Sequence, residues 1–577
     1  MIEAQKFELY LKVKNSFKKN WELIVNITIF FIIIVPLLIY SYFVNDNHII
    51  YALDDAYIHM AIAKNFSKHG TWGITEKEFS SSSSSILYTL LLSFFFLFGV
   101  NEFVPLILNL VFSVVLLFLI HYILKIKNNL PSYAVIACSI LMILFIPLPF
   151  LIFTGMEHVI QICIDLLFVY LASNLLSEKK IEKGVIFKFK KEGKLHFSKF
   201  HALILIAPLI TMVRFEGMFL LLVVSMLFII RKRIIDSLLI TLFGFLPIII
   251  FGIISINQGW YFFPNSVILK GNEPNLTSLE GILAFFDLSL LIKAPHISIL
   301  LLGSILIIFN QYYKKRNYWC EKSVMASIFI LVTILHFLFI GAIQEHQNLS
   351  RYDGYLVALG LITFFITIKS NIPQNISLYQ LRIYFSKLKD NYKKNIIQIV
   401  SITFIIVFIF YSFSPRSYNL IRKSPQASNN IYEQPFHVAL FLKEYYDGEC
   451  IVANDIGAMN YYADIECLDL RGLGSIEVAN AQLDGEFGTR FVEKEAEKRD
   501  CKIAVIFEHK DYGYGIPDEW IKAGEWKVQD NVVLGDETIS FWAIPRDEFD
   551  NLISHLIDFS DRLPSTVIES GNYTDYF

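Results

Sequence analysis

Long uninterrupted apolar runs are the feature that most restricts what this chain can fold into. They are roughly 15 to 23 residues long, and about 20 apolar residues in a helix cross the hydrocarbon core of a bilayer. Of the 577 residues, 55% are hydrophobic and 18% are charged, which is too little polar surface for a soluble protein. We therefore expect a polytopic α-helical membrane protein of about 11 to 13 spans. The runs occupy residues 24–44, 86–99, 103–124, 133–153, 157–176, 201–213, 215–230, 235–256, 285–309, 324–342, 354–368 and 396–413.

The first run, 24–44, is expected to stay in the protein as a membrane span. Several lysines precede Trp21, as they do in secretion signals. The run is nevertheless longer than the about 7 to 15 apolar residues of a cleavable signal.

Basic residues between the runs predict the orientation, because Lys and Arg are retained on the cytoplasmic side. With the basic connections inside, the outer segments are 45–85, 154–157, 257–281, 343–353 and everything after residue 414. This predicts a multi-pass protein of the cytoplasmic (inner) membrane, with a cytoplasmic N-terminus and a periplasmic or extracellular C-terminal domain. The basic connections are the N-terminus, Lys125 with Lys127, 179–194, Arg231-Lys232-Arg233, Lys314-Lys315-Arg316 and 369–394.

The segment between residues 86 and 124 conflicts with this orientation. An odd number of crossings is needed between the outer loop 45–85 and an inner Lys125, but the sequence has two apolar runs there. Either one run is shallow or re-entrant, or Lys125 and Lys127 lie outside.

The chain changes character after Ser414, where charged and turn-forming residues become frequent. We expect a transmembrane domain over 1–413, with its first outer loop at 45–85, and a soluble extracytoplasmic α/β domain over 414–577. The three cysteines of the second domain, Cys450, Cys467 and Cys501, allow at most one disulfide among them. Short strands are predicted at 450–453, 466–470 and 502–507, a helix at 491–499, and a hairpin from 526–528 and 539–544.

Two adjacent carboxylates, Asp54 and Asp55, follow the first span and are the strongest chemical signal. One of them could take a proton from an acceptor hydroxyl as a general base. Together they could hold a divalent cation through oxygen ligands, or one could cap the helix predicted after them. That helix is amphipathic, ends near Gly70 and is expected to lie at the membrane interface.

Three cationic residues at predicted outer positions suit a phosphate group: Arg214, Lys270 and Arg351. Arg engages a phosphate through two parallel donors, whereas Lys acts as a point charge. Arg351 opens a span, so a side chain that simply extends to the interface is the alternative for it. Arg214 lies with Glu216 between two runs that are short for a full crossing. Ionisable groups at membrane depth indicate either a functional site or a mutually satisfied ion pair.

Two further carboxylates are candidates for substrate binding. Glu157 occupies a tight outer turn, with His158 next to it as a candidate partner. Asp455 follows a predicted strand in the soluble domain, and α/β domains place binding groups at the carboxyl ends of strands. Capping of the next helix is the alternative for Asp455.

Six motifs are spread through most of the chain: DDAYIHMAIAKNFSKHG (54–70), TGMEH (154–158), RFEG (214–217), PNSVILK (264–270), SRYDGY (350–355) and DIGAMNYYAD (455–464) followed by LDLRGLG (468–474). Together they resemble the membrane glycosyltransferases with the GT-C fold that use polyprenyl-phosphate sugars, closest to the actinobacterial arabinofuranosyltransferases and their relatives. The resemblance implies that the first outer loop carries the catalytic base, on Asp55 or Asp54 with Asp55 favoured. It also implies sugar delivery with inversion and an acceptor-binding or positioning role for the outer domain. The six serines that lead into Ile86 depart from the family pattern, so arabinose is not carried over.

The sequence thus predicts an inverting hexosyl- or pentosyltransferase that moves a sugar from a polyprenyl-phosphate donor to a cell-envelope glycan, lipid or protein at the outer face of the membrane. A transporter or flippase of lipid-linked glycans is one alternative, but it would place charges near the midplane on broken, paired helices. A non-catalytic envelope-assembly protein is the other, and it leaves Asp54 and Asp55 unexplained. Nucleic acid is not an expected partner, because no long basic patch lies outside the loops that membrane topology explains. The only cofactor left open is the divalent cation at the two aspartates.

Overall fold

The computed structural model of the protein describes residues 20–178, 198–269, 294–339, 351–369, 392–508 and 516–576. Helices dominate up to residue 445, and a six-stranded sheet with further helices follows. Turns of π-helix extend α4 at Tyr122–Lys127 and join α15 to α16 at Tyr432–Phe436. In chain order the helices are α1 Trp21–Val44, α2 Asp54–His69, α3 Ile86–Phe96, α4 Phe103–His121, α5 Ser132–Phe145, α6 Leu148–Phe153, α7 His158–Ser177, α8 Lys199–Val213, α9 Gly217–Ile230, α10 Ile234–Asn257, α11 Asn265–Ile268, α12 Pro295–Tyr313, α13 Glu321–Phe339, α14 Gly354–Ile368, α15 Tyr392–Ile431, α16 His437–Tyr445, α17 Ala458–Tyr462, α18 Ile476–Asp484, α19 Thr489–Lys498 and α20 Glu548–Ser560.

Six helices in the described ranges are long and apolar enough to cross a membrane: α1, α4 with its π-helical extension, α7, α10, α12 and α13. Five shorter apolar helices accompany them: α3, α5, α8, α9 and α14. The chain is a multi-pass membrane protein, as its apolar runs predicted. Helix α15, 40 residues long in all, contains the last predicted run and passes through residue 414. The predicted division after residue 413 therefore falls within one continuous helix and stays a prediction.

The two ends of α1 lie on different faces of the helical bundle. At its start, Glu22 pairs with Nζ of Lys125 at 2.9 Å. At its other end, Nδ2 of Asn45 donates a hydrogen bond to Oγ of Ser428 at 2.8 Å, where α15 leads into the C-terminal domain. We call the face that carries Lys125 the basic face and the face that carries Asn45 the site face.

Helix α3 does not cross between these faces. The hydroxyl of Tyr462 in the C-terminal domain donates to Oε2 of Glu102 at 3.3 Å, so the loop after α3 lies on the site face. An 11-residue helix is about 16 Å long, which is half of the roughly 30 Å hydrocarbon core. Of the two helices between residues 86 and 124, α3 stays near the site face and α4 alone runs to the face that carries Lys125.

Helices α8 and α9 form the hairpin that the two short apolar runs indicate. Glu178 pairs with Lys199 at 3.4 Å, and its backbone carbonyl accepts a hydrogen bond from Arg231, so both open ends of the hairpin lie together. The turn 214–216 is at the closed end, on the site face. Gly217 begins α9 at a point where an added Cβ would lie 2.3 Å from the carbonyl oxygen of Ile210. Only glycine allows the chain to return this closely.

Six strands form the C-terminal sheet: β1 Cys450–Ala453, β2 Glu466–Asp469, β3 Ile503–Ile506, β4 Ile521–Lys527, β5 Thr538–Ala543 and β6 Ile568–Ser570. Their spatial order is β2-β1-β3-β5-β4-β6. The first three are parallel neighbours, whereas β3, β5, β4 and β6 pair antiparallel. The strands and hairpin expected from the sequence are confirmed, although β4 begins five residues earlier than the hairpin pattern indicated. Neither β6 nor α20 was predicted.

One disulfide, Cys450–Cys501, joins β1 to the residue that precedes β3. Cys467 remains free. In the parallel register Cys450 lies beside Glu466 and Ile451 lies beside Cys467, so Cys450 and Cys467 project from opposite sides of the sheet. This is why the third cysteine takes no part in the bridge.

Helix α2 begins and ends as predicted, with a left-handed φ of +73° at Gly70. Its two sides are buried in two different cores, while its predicted place at the membrane interface stays a prediction. Ile58 and Ile62 pack into the core of the C-terminal domain, while Tyr57 and Met60 pack into the core of the bundle. The helix is enclosed because the C-terminal domain covers the side that carries Ile58 and Ile62.

Candidate active site

Asp54 ties the start of α2 to the C-terminal domain. Its two carboxylate oxygens accept hydrogen bonds from the backbone N–H groups of Gly457 and Ala458 at 2.6 and 2.8 Å. An added Cβ on Gly457 would lie 2.0 Å from the backbone oxygen of Asp54, so the contact requires glycine. Burial raises the pKa of Asp54 to about 6, against the lowering effect of the two N–H donors.

Asp55 faces a different partner. Nη1 of Arg351 donates to Oδ2 of Asp55 at 2.7 Å, and the same nitrogen lies 3.3 Å from the sulfur of Met156. The Arg351 side chain is 8% exposed and that of Asp55 is 29% exposed. Asp55 is thus a partly open carboxylate held beside a buried cation. The structure therefore gives the two adjacent aspartates different partners.

Arg214 is held by two carboxylates at the turn of the α8–α9 hairpin. Its Nε and Nη2 form a bidentate ion pair with the carboxylate of Glu216, at 3.0 and 2.6 Å. Its Nη1 donates to Oε1 of Glu157 at 2.6 Å. Glu157, Arg214 and Glu216 are therefore brought together, and the Arg214–Glu216 ion pair that was the structural alternative is made.

Tyr352 links the two arginines and was not singled out in the sequence. The guanidinium carbons of Arg214 and Arg351 lie 4.8 and 5.3 Å from the centre of its ring. Both distances are in the range of cation–π attraction. The ring also meets His158 edge-on, with centroids 6.0 Å apart. Its place beside Arg351 in the SRYDGY motif was the signal that could have identified it.

The six-serine run forms an ordered wall of this site. Oγ of Ser84 donates to Oε1 of Glu157 at 3.3 Å, and Oγ of Ser83 lies 3.0 Å from Nδ1 of His59. The other ring nitrogen of His59 lies 3.4 Å from Oε2 of Glu157. His59, rather than His158, is therefore the imidazole beside Glu157. It follows Asp55 by four residues, which is one turn of α2, and that spacing could have identified it.

Asp455 is contributed by the C-terminal domain, just after β1. Burial and the neighbouring charge of Asp54 raise the pKa of Asp455 well above its ordinary range, while Arg471 opposes the shift and Asp55 adds to it. Asp455 lies two residues before Gly457, whose N–H group donates to Asp54, so the chain places Asp455 beside the start of α2. The site is therefore composite, with one carboxyl from the sheet domain and the others from the membrane domain.

Two further motifs meet at this junction. Nδ2 of the buried Asn265 donates to the carbonyl of Gly472 at 2.7 Å, which joins PNSVILK to LDLRGLG. Asp469 accepts hydrogen bonds from the backbone N–H groups of Arg471 and Gly474 at 2.8 and 2.7 Å, and so shapes that loop. Lys270, the last candidate for a phosphate role, lies outside the described residues.

The carboxylate oxygens of Asp54 and Asp55 are not arranged to share a divalent cation. Both oxygens of Asp54 accept backbone N–H groups, and Oδ2 of Asp55 is bonded to Arg351. In the part of the chain that the structure describes, no group of three or more His, Cys, Asp or Glu side chains could hold a metal ion. A cation here would have to displace the donors already bound to these oxygens.

Comparisons with known proteins give distant similarities. Residues 429–542 match the model of a domain of unknown function (DUF8728). No curated protein matches the chain. The oligosaccharyltransferase of Archaeoglobus fulgidus in its apo form has 10% identity and a TM-score of 0.48, over 91% of this chain and 76% of that one. ArnT from Cupriavidus metallidurans bound to undecaprenyl phosphate has 10% identity and a TM-score of 0.48, over 90% of this chain and 98% of that one.

Proposed function

We propose that the chain is an inverting glycosyltransferase that moves a hexosyl or pentosyl group from a polyprenyl-phosphate donor to a cell-envelope glycan, lipid or protein. The observation that carries the proposal is the contact of Asp55 with Arg351, whose guanidinium shares the ring of Tyr352 with Arg214. A partly open carboxylate and two cations are thereby gathered where the membrane domain meets the soluble domain. The motif resemblance supports the same chemistry.

Asp55 is the proposed general base. The acceptor hydroxyl gives its proton to the Asp55 carboxylate while its oxygen forms a bond to the anomeric carbon of the donor. The bond from that carbon to the phosphate oxygen breaks, and the phosphate leaves with the electron pair. One displacement inverts the anomeric centre, and the phosphate leaves without needing an acid.

Arg351 and Arg214 are the proposed partners of the donor phosphate, since guanidinium groups match phosphate oxygens with parallel donors. In the described structure Arg351 is bonded to Asp55. A phosphate that takes over this guanidinium removes the bond that Arg351 makes to Asp55.

The site face is proposed to be the extracytoplasmic face. The basic residues Lys125 and Arg231 lie at the opposite end of the bundle from Asp55, and positive charge is retained on the cytoplasmic side. The disulfide Cys450–Cys501 in the domain that covers the site face agrees with an oxidising compartment.

The test uses the purified full-length protein in lipid nanodiscs with a polyprenyl-phosphate sugar labelled in the sugar. We expect an envelope fraction to receive the label while free polyprenyl phosphate accumulates. Asp55→Asn should abolish both products, whereas Asp561→Asn, at an exposed aspartate of the C-terminal domain, should leave them unchanged. Label that crosses a bilayer with its phosphate bond intact would indicate a flippase instead. An Asp55→Asn protein with wild-type transfer would refute the assigned base.

A further inference from the structure

Helix α2 holds the short helix α17 at both of its ends, and the first of these contacts is made by Asp54. The carboxylate accepts the backbone N–H groups of Gly457 and Ala458, which open α17. N–H groups at the start of a helix have no partner within the helix and carry its positive partial charge. A carboxylate is therefore a suitable anchor for this end.

The second contact is made by Lys64. Its Nζ donates to the backbone carbonyls of Asn460 and Tyr461 at 3.1 and 2.9 Å, and to Oδ1 of Asp464 at 2.9 Å. These three bonds use every donor that an ammonium group has. Carbonyls at the end of a helix carry negative partial charge, so a cation suits this end.

A second lysine bridges the same two domains without being buried. Nζ of Lys77 lies 2.5 Å from Oε1 of Glu466, with side chains 61% and 47% exposed. The Lys64 side chain is only 8% exposed. Exposed ion pairs contribute little because water and salt screen them, whereas a buried ammonium that loses its partners is left unsatisfied. The two lysines therefore form a matched pair for experiment.

On these contacts we propose that Asp54 and Lys64 are positioning residues, which fix α17 on α2 and so hold Asp55 in place for sugar transfer. Asp55 is the next residue after Asp54 in the first helical turn, and Arg351 holds its carboxylate from the other side. Movement of that turn would take the base away from its place. We call the contacts of Asp54 and Lys64 with α17 the clamp. Asp455 lies two residues before Gly457, so the clamp also holds Asp455 at the site. The kinetic part of this inference rests on the proposed function.

Hydrogen exchange of the full-length protein in nanodiscs tests the clamp without using activity. In Lys64→Met, the amides of 457–464 are expected to exchange at least about tenfold faster, because the end of α17 loses its bonds to α2. In Lys77→Met the same amides should exchange as in the wild type. Equal exchange in both variants would overturn the proposal.

Kinetics test whether the clamp serves the base. Lys64→Met should lower kcat about tenfold or more while the KM for the polyprenyl-phosphate sugar stays unchanged, since the phosphate contacts lie on other residues. Lys64→Arg keeps a cation and several donors and should recover much of the rate. A KM that rises while kcat stays at the wild-type value would place Lys64 in donor binding and refute positioning of the base.

The two parts can fail separately. If the wild-type protein turns over no polyprenyl-phosphate sugar, the proposed function fails, and the exchange comparison of Lys64→Met with Lys77→Met still decides whether the clamp joins the domains. If transfer is found but Lys64→Met behaves as Lys77→Met in both measurements, the clamp fails and the proposed function stands.

Discussion

Arg351 lies 296 positions after Asp55 in the chain, yet its Nη1 is 2.7 Å from Oδ2 of that carboxylate. The buried guanidinium occupies this oxygen of Asp55. In the proposed mechanism Arg351 turns from Asp55 to the phosphate of a lipid-linked sugar, and the Asp55 carboxylate acts as the general base.

Arg351→Ala is expected to raise the KM for the polyprenyl-phosphate donor at least about tenfold, because a hydrogen bond to a charged group contributes roughly 1.5–3 kcal/mol. Arg351→Lys should recover part of this loss, because Lys keeps the positive charge but lacks the two parallel N–H donors of the guanidinium group. Initial rates against donor concentration in nanodiscs give the comparison. Arg562→Ala removes an arginine that pairs with Glu444 at the exposed surface, and it should leave the KM unaltered. An unaltered KM in Arg351→Ala would remove the phosphate role.

Glu157→Gln is expected to lower the stability of the folded protein by about 3 kcal/mol, because it removes a charge from a buried ion pair and leaves Arg214 undercompensated. Glu157 is fully buried, and Glu216 remains as the other partner of Arg214. Unfolding in detergent by a chemical denaturant measures the change. Glu444→Gln, at an exposed pair, should alter stability by less than about 1 kcal/mol. Equal losses in the two variants would show that the buried pair is not a main support of the site.

Features with local causes were predictable from the sequence. Apolar runs of bilayer length predicted the membrane helices, and the pattern from Asp54 to Gly70 predicted α2 with its left-handed cap. His59 was also within reach, because it lies one helical turn after Asp55.

Features with distant causes were not predictable. The partners that separate Asp54 from Asp55 lie 403 and 296 positions away in the chain. Six consecutive serines have the composition of a low-complexity segment, and their order comes from contacts with His59 and Glu157. The cover over Ile58 in α2 was not predictable, because nothing local indicates that the C-terminal domain packs there. Each of these features depends on tertiary contacts.

The junction between α2 and the C-terminal domain is expected to tighten as the pH falls. Burial, with the charge of Asp55 adding to it, raises the pKa of Asp54 from its ordinary 3.8 to about 6 in the docked state. The docked state therefore binds the proton more tightly, so the stabilisation is complete below the ordinary pKa and is lost as the pH rises through 6. The raised pKa of Asp455 acts in the same direction.

Hydrogen exchange of amides 457–464 between about pH 4 and 8, corrected for intrinsic exchange rates, measures this dependence. Asp54→Asn should flatten the profile near pH 6, because the titrating group is gone. Asp561→Asn, which alters an exposed carboxyl, should keep the wild-type profile. Protection that increases as the pH rises through 6 would contradict the expected direction.

Gly457→Ala is expected to loosen the same junction by steric means. The added Cβ would lie 2.0 Å from the backbone oxygen of Asp54 and 2.6 Å from its Oδ2, so α17 must move away from α2. The φ of −81° at Gly457 is open to any residue, and glycine is needed there for space alone. Overpacking costs about 1–3 kcal/mol, and here the obstruction is backbone that cannot rotate aside. We expect a lower unfolding midpoint and slower sugar transfer.

Gly488→Ala is the matched control, because nothing lies within 4 Å of its added Cβ in the same domain. Wild-type stability and transfer in Gly457→Ala would mean that α2 and α17 do not stay this close in the working protein, and that Asp54 does not hold the base in position.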